Sequence, residues 1–92
     1  MKYKIAATKQ FKKTLKNAIL RGLEESLLND IIRKLANDEK LPDRCRDHQL
    51  KGNLKDFREC HIAPDWLLKY KKIKDKLILI LAETGTHSDM FK

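Results

Sequence analysis

Apolar residues at the start of the chain alternate with lysines and then take up a helical period. Tyr3, Ile5 and Ala7 occupy every second position, which is typical of a short strand with one buried face. Thr8 follows directly and has the side-chain oxygen that a helix N-cap needs. The pattern predicts a short strand that leads straight into a helix.

Two amphipathic helices are predicted next. The first should end near Gly22, because glycine readily takes the conformation that stops a helix, and the second near Asn37, because Pro42 cannot continue it. Glu24 and Glu25 lie at the positive end of the second helix, where negative charge is stabilising. The positions predicted to face the core are Phe11, Leu15, Ala18 and Ile19 in the first helix, and Leu27, Leu28, Ile31, Ile32 and Leu35 in the second.

The second half of the chain changes to strand-like patterns. Residues 40–53, bracketed by Pro42 and Gly52, are predicted to form a loop. Two strands are expected at about 57–62 and 66–72, joined by a tight turn.

A further apolar run from Leu77 to Leu81 shows no alternation, so it predicts a central strand buried on both faces. Gly85 should end this strand, and a short tail should follow. The elements together predict an α+β fold: an N-terminal strand, two helices and an antiparallel three-strand meander, in a single domain of residues 1–92.

The net charge indicates what kind of partner the chain binds. Lysine and arginine number 21 against 13 acidic residues, a formal net charge of +8. So basic a small domain is expected to bind a polyanion such as RNA, DNA, the ribosome or a strongly acidic protein. A lysine-rich composition without functional meaning is the alternative.

Cysteine content and hydropathy indicate the compartment. Cys45 and Cys60 are the only cysteines, too few for the disulfide framework of a short secreted chain, and no signal peptide opens the sequence. The longest apolar run, Leu77 to Ala82, is too short to cross a bilayer. We therefore expect a soluble cytoplasmic protein with reduced thiols and no membrane association.

Three histidines are the candidates for chemistry. His48 lies in the predicted loop, His61 near the end of a strand, and His87 just past the central strand. Strand ends and neighbouring loops meet at one edge of a sheet, and imidazole can exchange a proton near neutral pH. Acid–base cleavage of a phosphodiester is the functional hypothesis, although a single histidine is more often a surface or core residue.

Metal binding is the rival use of these side chains. Cys45 and His48 have half of a zinc-ligand spacing, with Cys60 and His61 as the other half. Neighbouring residues of a strand point to opposite faces, so Cys60 and His61 can hardly bind one ion. We predict no metal and no cofactor, and a buried, small-hydrophobe role for Cys60.

Other candidate site residues follow His61 and close the chain. Asp65 lies in a turn, where aspartate is common, and could alternatively act as a base or orient His61. Trp66 could belong to the core or to the site. Phe91, outside any predicted strand, could stack on a nucleotide base.

Three motifs together identify a family that the chain resembles. They are Arg46-Asp47-His48-Gln49-Leu50-Lys51-Gly52, Phe57-Arg58-Glu59-Cys60-His61-Ile62-Ala63-Pro64-Asp65-Trp66-Leu67-Leu68-Lys69-Tyr70, and Gly85-Thr86-His87-Ser88-Asp89-Met90-Phe91. The chain is similar to the YafQ-type toxins of the RelE/ParE superfamily, the small ribonucleases of bacterial type II toxin–antitoxin systems.

The resemblance implies a RelE-like ribonuclease fold and an endoribonuclease that cuts mRNA on the ribosome without a metal. It also implies silencing by a cognate acidic antitoxin of the DinJ/RelB type. The family's catalytic positions correspond to His48, His61, Asp65 and His87, and its terminal phenylalanine to Phe91. His87 is expected to be the general acid, Asp65 or His48 the base, and His61 a phosphate ligand.

One position departs from the family pattern. Relatives commonly carry arginine four residues before the last histidine, where this chain has Glu83. Either Arg46, Lys51 or another cation supplies the charge, or turnover is reduced. Arg46, Lys51, Trp66 and Phe91 are the predicted RNA-binding residues.

Two other functions are compatible with the fold and the charge. A gyrase-poisoning toxin on the same fold would act by binding alone, and a general nucleic-acid-binding module would explain the charge. Neither requires three histidines, so both leave the histidine pattern without a reason.

Overall fold

A five-stranded sheet forms the centre of the protein in a computed structural model that describes residues 2–90. Met1, Phe91 and Lys92 lie outside the described residues, and with them the predicted role of Phe91. The elements are β1 Lys4–Ala7, α1 Lys9–Leu20, α2 Glu25–Ala36, β2 His48–Gln49, β3 Arg58–Ala63, β4 Trp66–Ile73, β5 Ile78–Gly85 and α3 His87–Met90.

The strands follow the order β1-β5-β4-β3-β2, with β1 parallel to β5 and all other pairs antiparallel. The predicted α+β class and the meander β3–β4–β5 are confirmed. The loop predicted over 40–53 is wrong in detail, because it contains β2 and two 3₁₀ turns, Asp43–Cys45 and Gly52–Leu54. A strand of two residues has no periodicity that a sequence could reveal.

The helix ends follow the predicted capping chemistry. The Thr8 hydroxyl accepts a hydrogen bond from the amide of Phe11 and donates one to the carbonyl of Ala82, both at 2.9 Å. Thr8 thus joins the start of α1 to β5. The second helix ends at Ala36 with Asn37 as its C-cap, as predicted.

The prediction that every listed apolar residue of the two helices faces the core is wrong for two of them. Ile19 is 39% exposed and Leu27 is 43% exposed. In α1 the inward line runs through Phe11 and Ala18, which leaves Ile19 about 100° further round the helix. Leu28 likewise takes the inward place beside Leu27.

The core lies between the two long helices and one face of the sheet. Both cysteines are buried in it, and burial raises the pKa of each thiol. This confirms the predicted role of Cys60. The core residues are Tyr3, Phe11, Leu28, Ile31, Leu35, Ala36, Leu41, Cys45, Cys60, Leu68, Tyr70, Leu79 and Leu81.

Burial on both faces of β5, as the apolar run predicted, is wrong. Leu79 and Leu81 are buried, but Ile78 and Ile80 on the opposite face are only half-buried. Leu77 stands in the preceding turn with a φ of 53°, so the strand begins one residue later than expected. It ends at Gly85, as predicted, and α3 replaces the predicted tail.

We call the side of the sheet away from α1 and α2 the open face. Side chains alternate between faces along each strand, so this face carries Glu59, His61, Lys69, Lys71 and Glu83. Among residues 2–90, no helix is long and apolar enough to cross a membrane.

Candidate active site

A row of directly opposed residues crosses four strands of the open face. His48 pairs with Glu59, Glu59 with Lys69, and Lys69 with Glu83. Adjacent strands lie about 4.8 Å apart, so positions far apart in sequence become neighbours. The next row of opposed residues contains His61, Leu67 and Gly85. His87 follows Gly85 by two residues.

The carboxylate of Glu59 joins two of the histidines. Its Oε1 atom lies 3.8 Å from Nε2 of His48 and 3.8 Å from Nε2 of His87. When either ring carries a proton, it forms an ion pair with this carboxylate. The side chain of Glu59 is only 3% exposed, so the charge is little screened by water.

The second oxygen of Glu59 is buried and has no hydrogen-bond partner among residues 2–90. An unpaired buried carboxylate oxygen costs free energy, and such atoms concentrate at functional sites. The sequence pattern did not single out Glu59. The available signal was its position two residues before His61, which puts both side chains on one face of a strand.

His61 completes the histidine cluster. Its ring centroid lies 5.9 Å from that of His87, with the planes inclined at 53°. The structure therefore brings His48, His61 and His87 together around Glu59. His48 lies in β2 rather than in a loop.

Backbone carbonyls orient two of the rings. Nδ1 of His48 lies 2.6 Å from the carbonyl oxygen of Arg46, and Nδ1 of His61 lies 3.3 Å from that of Pro64. A ring that donates from Nδ1 to a carbonyl keeps Nε2 as its proton acceptor when neutral. Both rings can therefore accept or return a proton at Nε2.

A partly buried network holds the segment before His48. The Tyr70 hydroxyl donates to Oδ1 of Asp47 at 2.5 Å, and Nε of Arg58 lies 3.2 Å from the same oxygen. Burial and the Asp47 carboxylate raise the pKa of Tyr70, so the phenol remains a donor. Because Asp47 precedes His48, the network anchors that histidine to β3 and β4.

A second network holds His87 at the start of α3. Oδ2 of Asp89 lies 2.7 Å from Nη1 of Arg21 and accepts a hydrogen bond of 3.0 Å from the Thr86 amide. These contacts lower the pKa of Asp89, with the Thr86 amide as the largest cause. A Cβ atom on Gly85 would lie 3.0 Å from the same carboxylate oxygen, so glycine permits this close packing.

The remaining predicted site residues stand in different surroundings. Asp65 is exposed in the β3–β4 turn, while Trp66 is half-buried with the Arg21 guanidinium 5.2 Å from its ring centroid. Lys51 is exposed before the second 3₁₀ turn. Arg46 is exposed and, with His61, lines a cavity of about 540 Å³ whose other walls are Leu27, Arg44, Ile62, Ala63 and Pro64.

Glu83 is paired with a lysine of the neighbouring strand. Its Oε1 atom lies 3.1 Å from Nζ of Lys69, and the two side chains are only 14% and 17% exposed. The cation beside Glu83 is therefore Lys69, a residue that the sequence pattern did not identify. Among residues 2–90, no group of three or more histidine, cysteine or acidic side chains is arranged to hold a metal ion.

Comparison with known proteins gives concordant matches along nearly the whole chain. A sequence model described as "Bacterial toxin of type II toxin-antitoxin system, YafQ" matches residues 3–92. The mRNA interferase toxin YafQ of Escherichia coli strain K12 is 39% identical over 83 residues, 89% of this chain and 88% of that protein.

Solved structures agree with the sequence matches. A metal-bound toxin from Helicobacter pylori superposes with a TM-score of 0.90 and 42% identity, covering 97% of this chain and 99% of that chain. The E. coli DinJ–YafQ complex gives a TM-score of 0.88 and 35% identity, covering 98% of this chain and 99% of that chain.

Proposed function

Since the chain belongs to the YafQ family of type II toxin–antitoxin toxins, we propose that it is an endoribonuclease that cleaves mRNA on the ribosome. Residues 1–92 form one toxin domain. A cognate acidic antitoxin of the DinJ type neutralises it, in keeping with the complex that the E. coli relative forms. Its place of action is the cytoplasm, because mRNA and ribosomes are there.

The observation that carries this proposal is the pair of Nε2 atoms, of His48 and His87, at 3.8 Å from one oxygen of Glu59. Two proton-exchanging groups held by one buried anion can serve the two ends of a phosphodiester. A nucleic-acid-binding module or a gyrase-binding toxin has no use for this arrangement.

Cleavage proceeds by attack of a ribose 2′-oxygen on the adjacent phosphorus. His48 accepts the 2′-hydroxyl proton at Nε2, and the phosphorus–O5′ bond breaks. His87 donates a proton from Nε2 to O5′. The products are a 2′,3′-cyclic phosphate and a 5′-hydroxyl, so the substrate must be RNA.

His61 binds the phosphate beside His87. Its Nδ1 contacts the carbonyl oxygen of Pro64, so its Nε2 is the nitrogen that meets the phosphate. Asp65 is the second candidate for the base, from the neighbouring turn.

Arg46 and Lys51 supply positive charge for the RNA, and Trp66 and Phe91 supply aromatic surface. No metal takes part in this scheme, because histidine supplies both proton transfers.

The exposed lysines of α1, Lys12, Lys13 and Lys16, form the surface that docks on ribosomal RNA. A lysine-rich face gives affinity that depends on salt but not on sequence. The ribosome supplies an extended phosphate lattice for it.

Controlled expression of the wild type and of His87→Ala, with primer extension on cellular mRNA, tests the function. The wild type should arrest growth and create new mRNA ends. His87→Ala should relieve both effects, because a general acid contributes roughly 10²–10⁴-fold. Equal cleavage by the wild type and a folded His87→Ala protein would refute the assignment.

A further inference from the structure

A second cluster on the open face combines an aromatic ring with two lysines. Nζ of Lys69 lies 5.5 Å from the ring centroid of Phe57, and Nζ of Lys71 lies 5.6 Å from the same centroid. Ammonium groups at this distance are attracted to the ring by its quadrupole. We call these three residues the Phe57 cluster.

The cluster borders the histidine site. Arg58 pairs with Tyr70, so the next position along each chain is Phe57, just before β3, and Lys71 in β4. Phe57 lies two residues from Glu59, about 7 Å along the strand. Lys69 belongs both to the Phe57 cluster and to the row that contains His48 and Glu59. An RNA strand with its cleaved bond at the histidines therefore has this cluster next to it.

The two lysines differ in whether a carboxylate is paired with the ammonium group. Lys69 is neutralised by Glu83 at 3.1 Å. Lys71 is half-buried, and among residues 2–90 no carboxylate oxygen lies within 4.0 Å of its ammonium group. A cation that is fixed in place but lacks an anion is suited to a ligand phosphate, because little side-chain freedom remains to be lost on binding.

We propose that the Phe57 cluster is a subsite for the phosphate of a nucleotide adjoining the cleaved bond in single-stranded RNA. The inference rests on the proposed function. Lys71 contacts the phosphate, Phe57 positions the Lys71 ammonium, and Lys69 screens the RNA from the Glu83 carboxylate. Every nucleotide carries the same phosphate, so the subsite adds affinity and register without base preference.

The test measures binding of the full chain to a single-stranded RNA hexanucleotide bearing 2′-O-methyl groups, which cannot be cleaved because no 2′-hydroxyl is free. Fluorescence anisotropy between about 0.05 and 0.2 M salt gives the affinity and its salt slope. The variants are Lys71→Met, Lys71→Arg and Phe57→Leu. Lys9→Met, which removes an exposed lysine at the start of α1, is the matched control.

Lys71→Met should weaken binding about fivefold at 0.1 M salt and flatten the slope of log K against log salt by about 0.7, the value for one phosphate contact on a single strand. Lys71→Arg should restore both, and Phe57→Leu should weaken binding about twofold. An effect of Lys71→Met no larger than that of Lys9→Met would overturn the subsite, as would a wild type that does not bind the RNA.

Cleavage of mRNA on programmed ribosomes separates this inference from the proposed function. Wild-type cleavage together with unchanged RNA affinity in Lys71→Met overturns only the subsite. Loss of affinity in Lys71→Met with no cleavage by the wild type overturns only the nuclease assignment. In an active protein, Lys71→Met should raise KM and leave the cleavage rate at saturation unchanged.

Discussion

The phenol of Tyr70 donates a 2.5 Å hydrogen bond to the carboxylate of Asp47, the residue that precedes His48. A side chain that is 1% exposed thus sets the position of a surface histidine. Tyr70→Phe should lower the free energy of unfolding by about 1.5–3 kcal/mol, because it removes the hydrogen bond donated to Asp47 and the 3.3 Å one accepted from Nε of Arg58. It should also reduce cleavage, since the anchor of His48 is weakened.

Tyr3→Phe provides the matched control, because Tyr3 is also buried but lies apart from the Asp47 network. Denaturant unfolding and single-turnover cleavage of both variants check the prediction. If Tyr70→Phe loses no more activity than Tyr3→Phe, the network serves stability alone.

The ion pair between Lys69 and Glu83 makes Glu83→Arg a destabilising change. It places two cations where a half-buried pair stood, so we expect a loss of about 1–3 kcal/mol and no gain in cleavage. Combining Glu83→Arg with Lys69→Met should recover part of the stability, which a double-mutant cycle measures.

A clear gain in single-turnover cleavage from Glu83→Arg alone would contradict this and would mean that the carboxylate slows the reaction. Arg46→Ala and Lys51→Ala are measured in parallel on programmed ribosomes. A loss of cleavage in either variant would identify the cation that assists the reaction.

Acid should weaken the contact between β4 and the end of α2. Hydrogen bonds from Lys72 and Lys2 lower the pKa of Asp38 from 3.8 to about 2. The folded state therefore holds this proton less tightly than the unfolded chain, and the stability that Asp38 contributes is present above pH 3.8 and is lost as the pH falls towards 2.

Thermal unfolding of Asp38→Asn against pH checks this, with Asp75→Asn in the exposed β4–β5 turn as the control. The difference between the wild type and Asp38→Asn should shrink across that interval. A difference that persists unchanged at pH 2 would mean that the ion pairs of Asp38 contribute nothing.

Docking through α1 predicts that replacing Lys12, Lys13 and Lys16 together by alanine weakens ribosome binding and flattens its salt dependence. A variant with alanine at Lys34, Lys40 and Lys74 has the same net charge and serves as the control. Equal ribosome binding by the two variants would place the docking surface elsewhere.

Chelation should leave activity intact, because the proposed proton transfers use imidazole groups only. EDTA is added to the toxin alone and removed before programmed ribosomes are supplied, so that the ribosomes keep their own ions. Loss of cleavage that zinc restores would mean that the histidines act through a metal.

The fold could be predicted from sequence where an apolar pattern extended over many residues and where a helix had a recognisable capping residue. Thr8 begins α1 and Asn37 follows α2 as expected, and the three strands of the meander occur in the predicted order. The two-residue strand at His48 and the four-residue helix at His87 are too short to show a periodic pattern in the sequence. Both carry a histidine of the site.

The histidines of the site were visible in the sequence, but their shared partner was not. Glu59 looks like an ordinary strand residue until the register places it opposite His48 and within reach of His87. The pairing of Lys69 with Glu83 likewise depends on which strands become neighbours. Such relations arise from tertiary register, which local periodicity does not encode.

The parallel pairing of β1 with β5 has a consequence for when the toxin becomes active. Lys4 lies opposite Ile78, so the first strand to be synthesised waits for the last one before it gains a partner. Contacts of such long sequence separation close late and slow folding. Because β5 also leads directly into His87, a nascent chain lacks both a closed sheet and one member of its histidine cluster until β5 and His87 have been synthesised. The sheet and the histidine cluster are therefore completed only after β5 and His87 have left the ribosome.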